Sequence, residues 1–147
     1  MVFLMGTEST TKLGFVCVQN AGRSQMSAAF AEQERDQREL GDSIEILTGG
    51  THPAEHVHEE VVTVMRERDL DLSDRTPREV STDELESCDI VATMGCSTLE
   101  LDAEDVDVRD WALDDPHGQD LDTVREIRDD VEQRVEALFD EVHQDEP

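Results

Sequence analysis

The chain has 147 residues, 38 acidic and 12 basic, for a formal net charge of −26, and Lys12 is its one lysine. That length fits a single domain burying roughly 68–70% of the surface its unfolded form exposes, and the carboxylate excess excludes nucleic acid as a partner, because phosphate binding needs a basic face. Apolar periodicity along most of the chain excludes wholesale disorder, which leaves a protein suited to molar salt, where a Debye length of about 3 Å screens carboxylate repulsion.

Residues 1–11 read as a loose N-terminal segment, because Met1 to Met5 is too short to span a membrane and lacks the basic flank of a signal peptide. The expectation is a cytoplasmic, monomeric protein without membrane contact, folded over residues 12–143 and ending in a short acidic tail at 144–147. Lys12 to Val18 is nearly all apolar, as a parallel strand covered on both faces should be. From Ser24 onward Met26, Ala29, Phe30 and Gln33 recur at helical spacing, with Gly41 as the stop. Ile44 to Thr48 reads as a second strand halted by Gly49 and Gly50. Val57, Val61, Val64 and Met65 mark a second helix that gives way near Asp69. Ser81 or Thr82 caps a short third helix. Ile90 to Met94 is a third strand and Val106 to Val108 a fourth. The last helix carries one apolar stripe, Leu121, Val124, Ile127, Val131, Val135, Leu138 and Val142, beneath an acidic face. Strands alternating with helices indicate an α/β fold with a parallel sheet.

The chemistry concentrates where the first strand gives way to the first helix. Cys17 is followed by Val18, Gln19, Asn20, Ala21, Gly22, Arg23 and Ser24. Backbone N–H groups at a helix N-terminus form an anion cradle, and ligands collect at the carboxyl ends of parallel strands. Those N–H groups and Arg23 favour the thiolate of Cys17, and Ser24 can donate to it. Arg23 can hold two oxygens of a tetrahedral oxyanion bidentately. Asn20 suits a left-handed bend, and Gly22 allows close approach of the backbone to the anion.

This run resembles the anion loop of the low-molecular-weight protein tyrosine phosphatase superfamily, most of all its arsenate reductase branch. The resemblance extends from Lys12 to about Val142 through Gly49-Gly50, Asp71 to Ser73, Thr93 to Cys96, Trp111 and Asp114 to Pro116. It implies a single-domain, three-layer α/β/α fold around a four-stranded parallel sheet. It also implies a covalent intermediate on Cys17, with Asp115 as the acid that protonates the departing oxygen. The phosphatase branch usually has aromatics after the Asp-Pro pair. Here His117 and Gly118 follow, and the chain has no tyrosine.

Three cysteines without an export signal argue against a disulfide framework. Cys88 precedes the third strand and Cys96 follows it, so the two lie at opposite ends of the sheet, roughly 17 Å or more apart. Cys96 shares the Cys17 side. Its thiolate can resolve an arsenic–sulfur adduct, a step phosphorus(V) does not undergo readily, without metal or bound cofactor. Cys88 reads as a small buried hydrophobe. Relatives coupled to thioredoxin carry two thiols near the loop after this strand, whereas residues 97–101 offer no second cysteine. The adduct is therefore resolved either by Cys96 or by an external thiol of thioredoxin, glutaredoxin or small-molecule type. His52, His56 and His58 read as a solvated loop and helix start rather than metal ligands. The leading expectation is an arsenate reductase. The alternatives are a phosphatase acting on phosphomonoesters through a Cys17 phosphoenzyme, and a non-catalytic oxyanion sensor.

Overall fold

The computed structural model describes residues 11–41, 43–94, 106–111, 113, 116 and 118–144. Its elements are β1 (Thr11–Cys17), α1 (Arg23–Gln37), β2 (Ile44–Gly50), α2 (Glu59–Arg66), α3 (Thr82–Glu86), β3 (Ile90–Met94), β4 (Asp107–Asp110) and α4 (Leu121–Gln144). The four strands pair in parallel in the order β2-β1-β3-β4. Side chains alternate along β1. Leu13, Phe15 and Cys17 join the core shared with α1, α2 and α4, while Val16 joins a smaller cluster with Val80, Leu85, Cys88 and Val91. Both faces of the sheet are thus covered, which gives the three-layer α/β/α arrangement and explains why β1 reads as an unbroken apolar run.

Cys17 ends the central strand, paired with Gly50 of β2 on one side and Met94 of β3 on the other. The connection out of β1 runs to β2 on one side and that out of β3 runs to β4 on the other, so the carboxyl edge between β1 and β3 is the crevice where α/β sheets bind ligands.

Several boundaries differ from expectation. β2 does not stop at Thr48 but runs through Gly49 and Gly50. A Cβ at Gly49 would stand 2.5 Å from Val80 Cβ, and one at Gly50 would stand 2.5 Å from the Val18 carbonyl oxygen. These glycines let neighbouring backbone press against a continuing strand rather than ending it. α1 stops at Gln37, well before Gly41. The Leu40 N–H reaches back to the Arg35 carbonyl at 2.8 Å and the Glu39 N–H to the Asp36 carbonyl at 3.2 Å, with Glu39 at φ 56°. This is a Schellman ending with a glutamate where glycine is usual, held by Leu40 packing on the core. α2 ends the same way, with Asp69 at φ 62° and the Leu70 N–H bonded to the Met65 carbonyl. Ser81, not Thr82, caps α3, in a reciprocal capping box with Glu84. Among the described residues no helix is long and apolar enough to cross a membrane.

Candidate active site

The loop between β1 and α1 is shaped from outside. Segment 51–58, which links β2 to α2, donates four backbone N–H groups to loop carbonyls: Thr51 to Cys17, His52 to Val18 at 2.7 Å, Ala54 to Gln19 at 2.9 Å and His58 to Ala21 at 2.9 Å. A trans peptide carries its carbonyl and the following N–H on opposite sides. Fixing these carbonyls outward therefore turns the N–H groups of Val18, Gln19, Asn20 and Gly22 inward. The Asn20 N–H lies 3.1 Å from Cys17 Sγ. Inward N–H groups at the start of α1 form the anion cradle the sequence implies.

At the floor of this cradle Cys17 is 3% exposed. Its sulfur lies 2.9 Å from Ser24 Oγ, which also accepts from Asn20 Nδ2 at 2.7 Å. With Oγ already accepting from the Asn20 amide, its hydroxyl is placed to donate to the sulfur beside the Asn20 N–H, so two polar groups converge on Sγ. Asn20 is fully buried with φ 53°, the left-handed bend expected of it. Its side chain does more than tolerate that bend. Nδ2 also donates to Thr48 Oγ1 at 3.0 Å, and Oδ1 accepts from Gln25 Nε2 and the Arg78 N–H, each at 3.1 Å. Thr48 Oγ1 in turn donates to the Phe15 carbonyl at 2.9 Å. Thr48, Gln25 and Arg78 were not legible as site residues. The signal available in the sequence was only that a buried loop amide must find partners for all its polar atoms.

Half-buried Arg23 donates through Nη1 to the Leu113 carbonyl at 3.0 Å, which holds the guanidinium beside the cradle. Gly22 has a second reason to be small. A Cβ there would come within 2.9 Å of Pro116 Cγ, so its smallness admits Pro116 against the loop. The resulting pocket, about 250 Å³, is lined by Cys17, Val18, Gln19, Ala21, Gly22, Arg23 and His58. His58 corrects the expectation of a merely solvated helix start. It directly precedes α2, and its Nε2 meets Gln19 Oε1 at 3.1 Å, whereas His52 and His56 are exposed.

Cys96 and Asp115, the expected resolving thiol and acid, lie outside the described residues. Cys88 is 3% exposed, in the cluster on the other face of the sheet. Burial pushes its thiol up to about 11, which keeps it protonated and inert near neutrality.

The family model for low molecular weight phosphotyrosine protein phosphatase matches residues 12–147. A Halobacterium salinarum protein, whose name of arsenate reductase is itself provisional, is 79% identical over 141 residues, covering 96% of this chain and 99% of that one. The glutaredoxin arsenate reductase of a Synechocystis species is 33% identical over 132 residues, covering 87% of this chain and 95% of its own. Among solved structures, the thioredoxin-dependent arsenate reductase of Corynebacterium glutamicum aligns with TM-score 0.78 at 28% identity, over 94% of this chain and 64% of that one. With a family model that spans the anion loop and nearly the whole sheet, the chain belongs to the low molecular weight phosphotyrosine protein phosphatase family.

Proposed function

We propose that the chain is a thiol-dependent arsenate reductase. Cys17 Sγ attacks arsenate, an arsenic–oxygen bond breaks, and the oxygen leaves as water after protonation by Asp115. The loop N–H groups and Arg23 take up the charge that builds on the oxygens during this step. A second thiolate, from Cys96 or an external donor, then attacks Cys17 Sγ. A sulfur–sulfur bond forms, and the electron pair of the arsenic–sulfur bond passes to arsenic, which leaves as arsenite. The thiol pair is oxidised by two electrons and arsenic is reduced by two. An external thiol reductant regenerates the enzyme, and the thioredoxin and glutaredoxin named for two relatives support a dithiol protein in that role.

The observation that carries the chemistry is the pair of polar groups on Cys17 Sγ, the Ser24 hydroxyl at 2.9 Å and the Asn20 N–H at 3.1 Å. The choice of arsenic is supported by the 79% identical relative. A phosphomonoesterase is the second reading, favoured by the family model's own description. The expected outcome is that Cys17→Ser abolishes both arsenite formation and aryl phosphate hydrolysis, whereas Cys96→Ser loses arsenite formation alone. Equal arsenite output from the Cys96 variant assigns resolution to the external thiol. A wild-type enzyme that cleaves aryl phosphate but yields no arsenite with any thiol donor is a phosphatase.

A further inference from the structure

The walls of the pocket differ in what they offer a ligand. Val18, Ala21 and Gly22 present little beyond backbone, and Arg23 is tied to the Leu113 carbonyl. On the solvent side the exposed Gln19 side chain and the half-buried His58 imidazole join at 3.1 Å. His58 is fixed along the loop at more than one point: its N–H donates to the Ala21 carbonyl at 2.9 Å, and its Cδ2 lies 3.7 Å from where a Cβ on Gly22 would stand. The ring therefore lies along the rim of the loop from residue 22 to residue 19, where it lines the pocket. Although His58 occupies the N-cap of α2, its side chain makes no capping bond and instead lines the pocket.

We propose that the Gln19–His58 bridge is a specificity rim that admits a free tetrahedral oxyanion and excludes the aromatic ester group of an aryl phosphomonoester. This rests on the arsenate reductase reading and names what enforces it. Sulfur at the floor attacks in line with the departing oxygen, so whatever that oxygen carries projects toward the mouth. Arsenate carries nothing there larger than a hydroxyl. An aryl ester carries a ring, which must displace the imidazole and break its bond to Gln19. The bridge thus acts on the leaving group, while the oxyanion itself meets the loop amides and Arg23.

The test compares wild type with His58→Asn and His58→Ala, using arsenate with dithiothreitol as donor, p-nitrophenyl phosphate as the ester, and inorganic phosphate as competitive inhibitor. Asparagine is itself a preferred N-cap, so the first variant removes the ring and keeps a helix start. The kcat/KM for the ester relative to that for arsenate is expected to rise roughly tenfold in both variants, the scale of discrimination by pocket shape, through a lower ester KM. An unchanged or falling ratio overturns the rim. Absence of arsenite from wild type overturns the reductase reading instead, and the ester KM measured against the phosphate inhibition constant then still reads the rim: a fall upholds it and no fall overturns it.

Discussion

At the scale of single residues, the loop depends on Asn20, and Asn20 depends on groups far away in sequence. Cys17, Arg23, Ser24 and the left-handed bend at Asn20 were legible because they fall within one run whose chemistry is local. Thr48 and the Arg78 N–H were not, since only the pairing of β2 with β1 and the approach of residues 78–80 to Gly50 bring them to the Asn20 amide. The place of His58 at the pocket was not legible for a similar reason, because its partner Gln19 lies 39 positions away in sequence. Thr48→Val keeps the shape and removes a hydroxyl that accepts from Asn20 Nδ2 and donates to the Phe15 carbonyl. One such hydrogen bond is worth about 1 kcal/mol net, so kcat is expected to fall roughly fivefold when the lost positioning reaches the transition state in full. An unchanged kcat would remove Thr48 from the positioning network.

Among the elements, strand and helix identities were legible from periodicity, but their ends were set by packing. Gly49 and Gly50 signalled a stop on propensity alone. The structure uses them for close approach by Val80 and the Val18 carbonyl, which no local rule distinguishes from a turn. Gly41 looked like the end of α1, yet Leu40 anchors the Schellman ending and forces Glu39 into the left-handed region. That position carries a testable strain. Glu39 is exposed, and a left-handed conformation costs a non-glycine residue roughly 1–2 kcal/mol, offset partly by glycine's greater freedom in the unfolded chain. Glu39→Gly also removes an anion from the negative end of the helix dipole. Urea denaturation at fixed KCl is expected to show stabilisation of about 0.5–1 kcal/mol, and a loss of stability would contradict the strain assignment.

Over the whole molecule, the net charge of −26 is managed by placing arginines between helices. Arg128, 6% exposed, donates to Glu67 at 2.7 Å and to the Val64 carbonyl at 2.9 Å, and Arg125 also clasps Glu67, so α2 and α4 are joined through one carboxylate. The hydrogen bonds from Arg125 and then Arg128 hold the Glu67 carboxyl down at about 2, against an ordinary 4.5. A depressed carboxylate contributes stability in full above its unfolded value and loses it as the pH falls toward the folded one. Thermal stability of wild type is therefore expected to drop more steeply between about 4.5 and about 2 than that of Glu67→Gln, and parallel curves would exclude this carboxylate as a pH-dependent tie. Glu136 has the opposite sign, since burial and then Glu132, Glu34 and Asp140 raise it, so acid relieves the repulsion there. Such clusters are what high salt screens, and the excess of carboxylates that signalled salt adaptation was legible from composition alone. The same field repels an incoming oxyanion, so its capture must come from the local geometry at Cys17. The most direct test of that capture is the rate of Cys17 alkylation by iodoacetate, followed by peptide mass spectrometry with and without arsenate in molar KCl. Cys17 is expected to react far faster than Cys88 and to be protected by arsenate. Labelling of Cys17 no faster than that of Cys88, or indifferent to arsenate, would contradict a nucleophilic sulfur set in an oxyanion cradle.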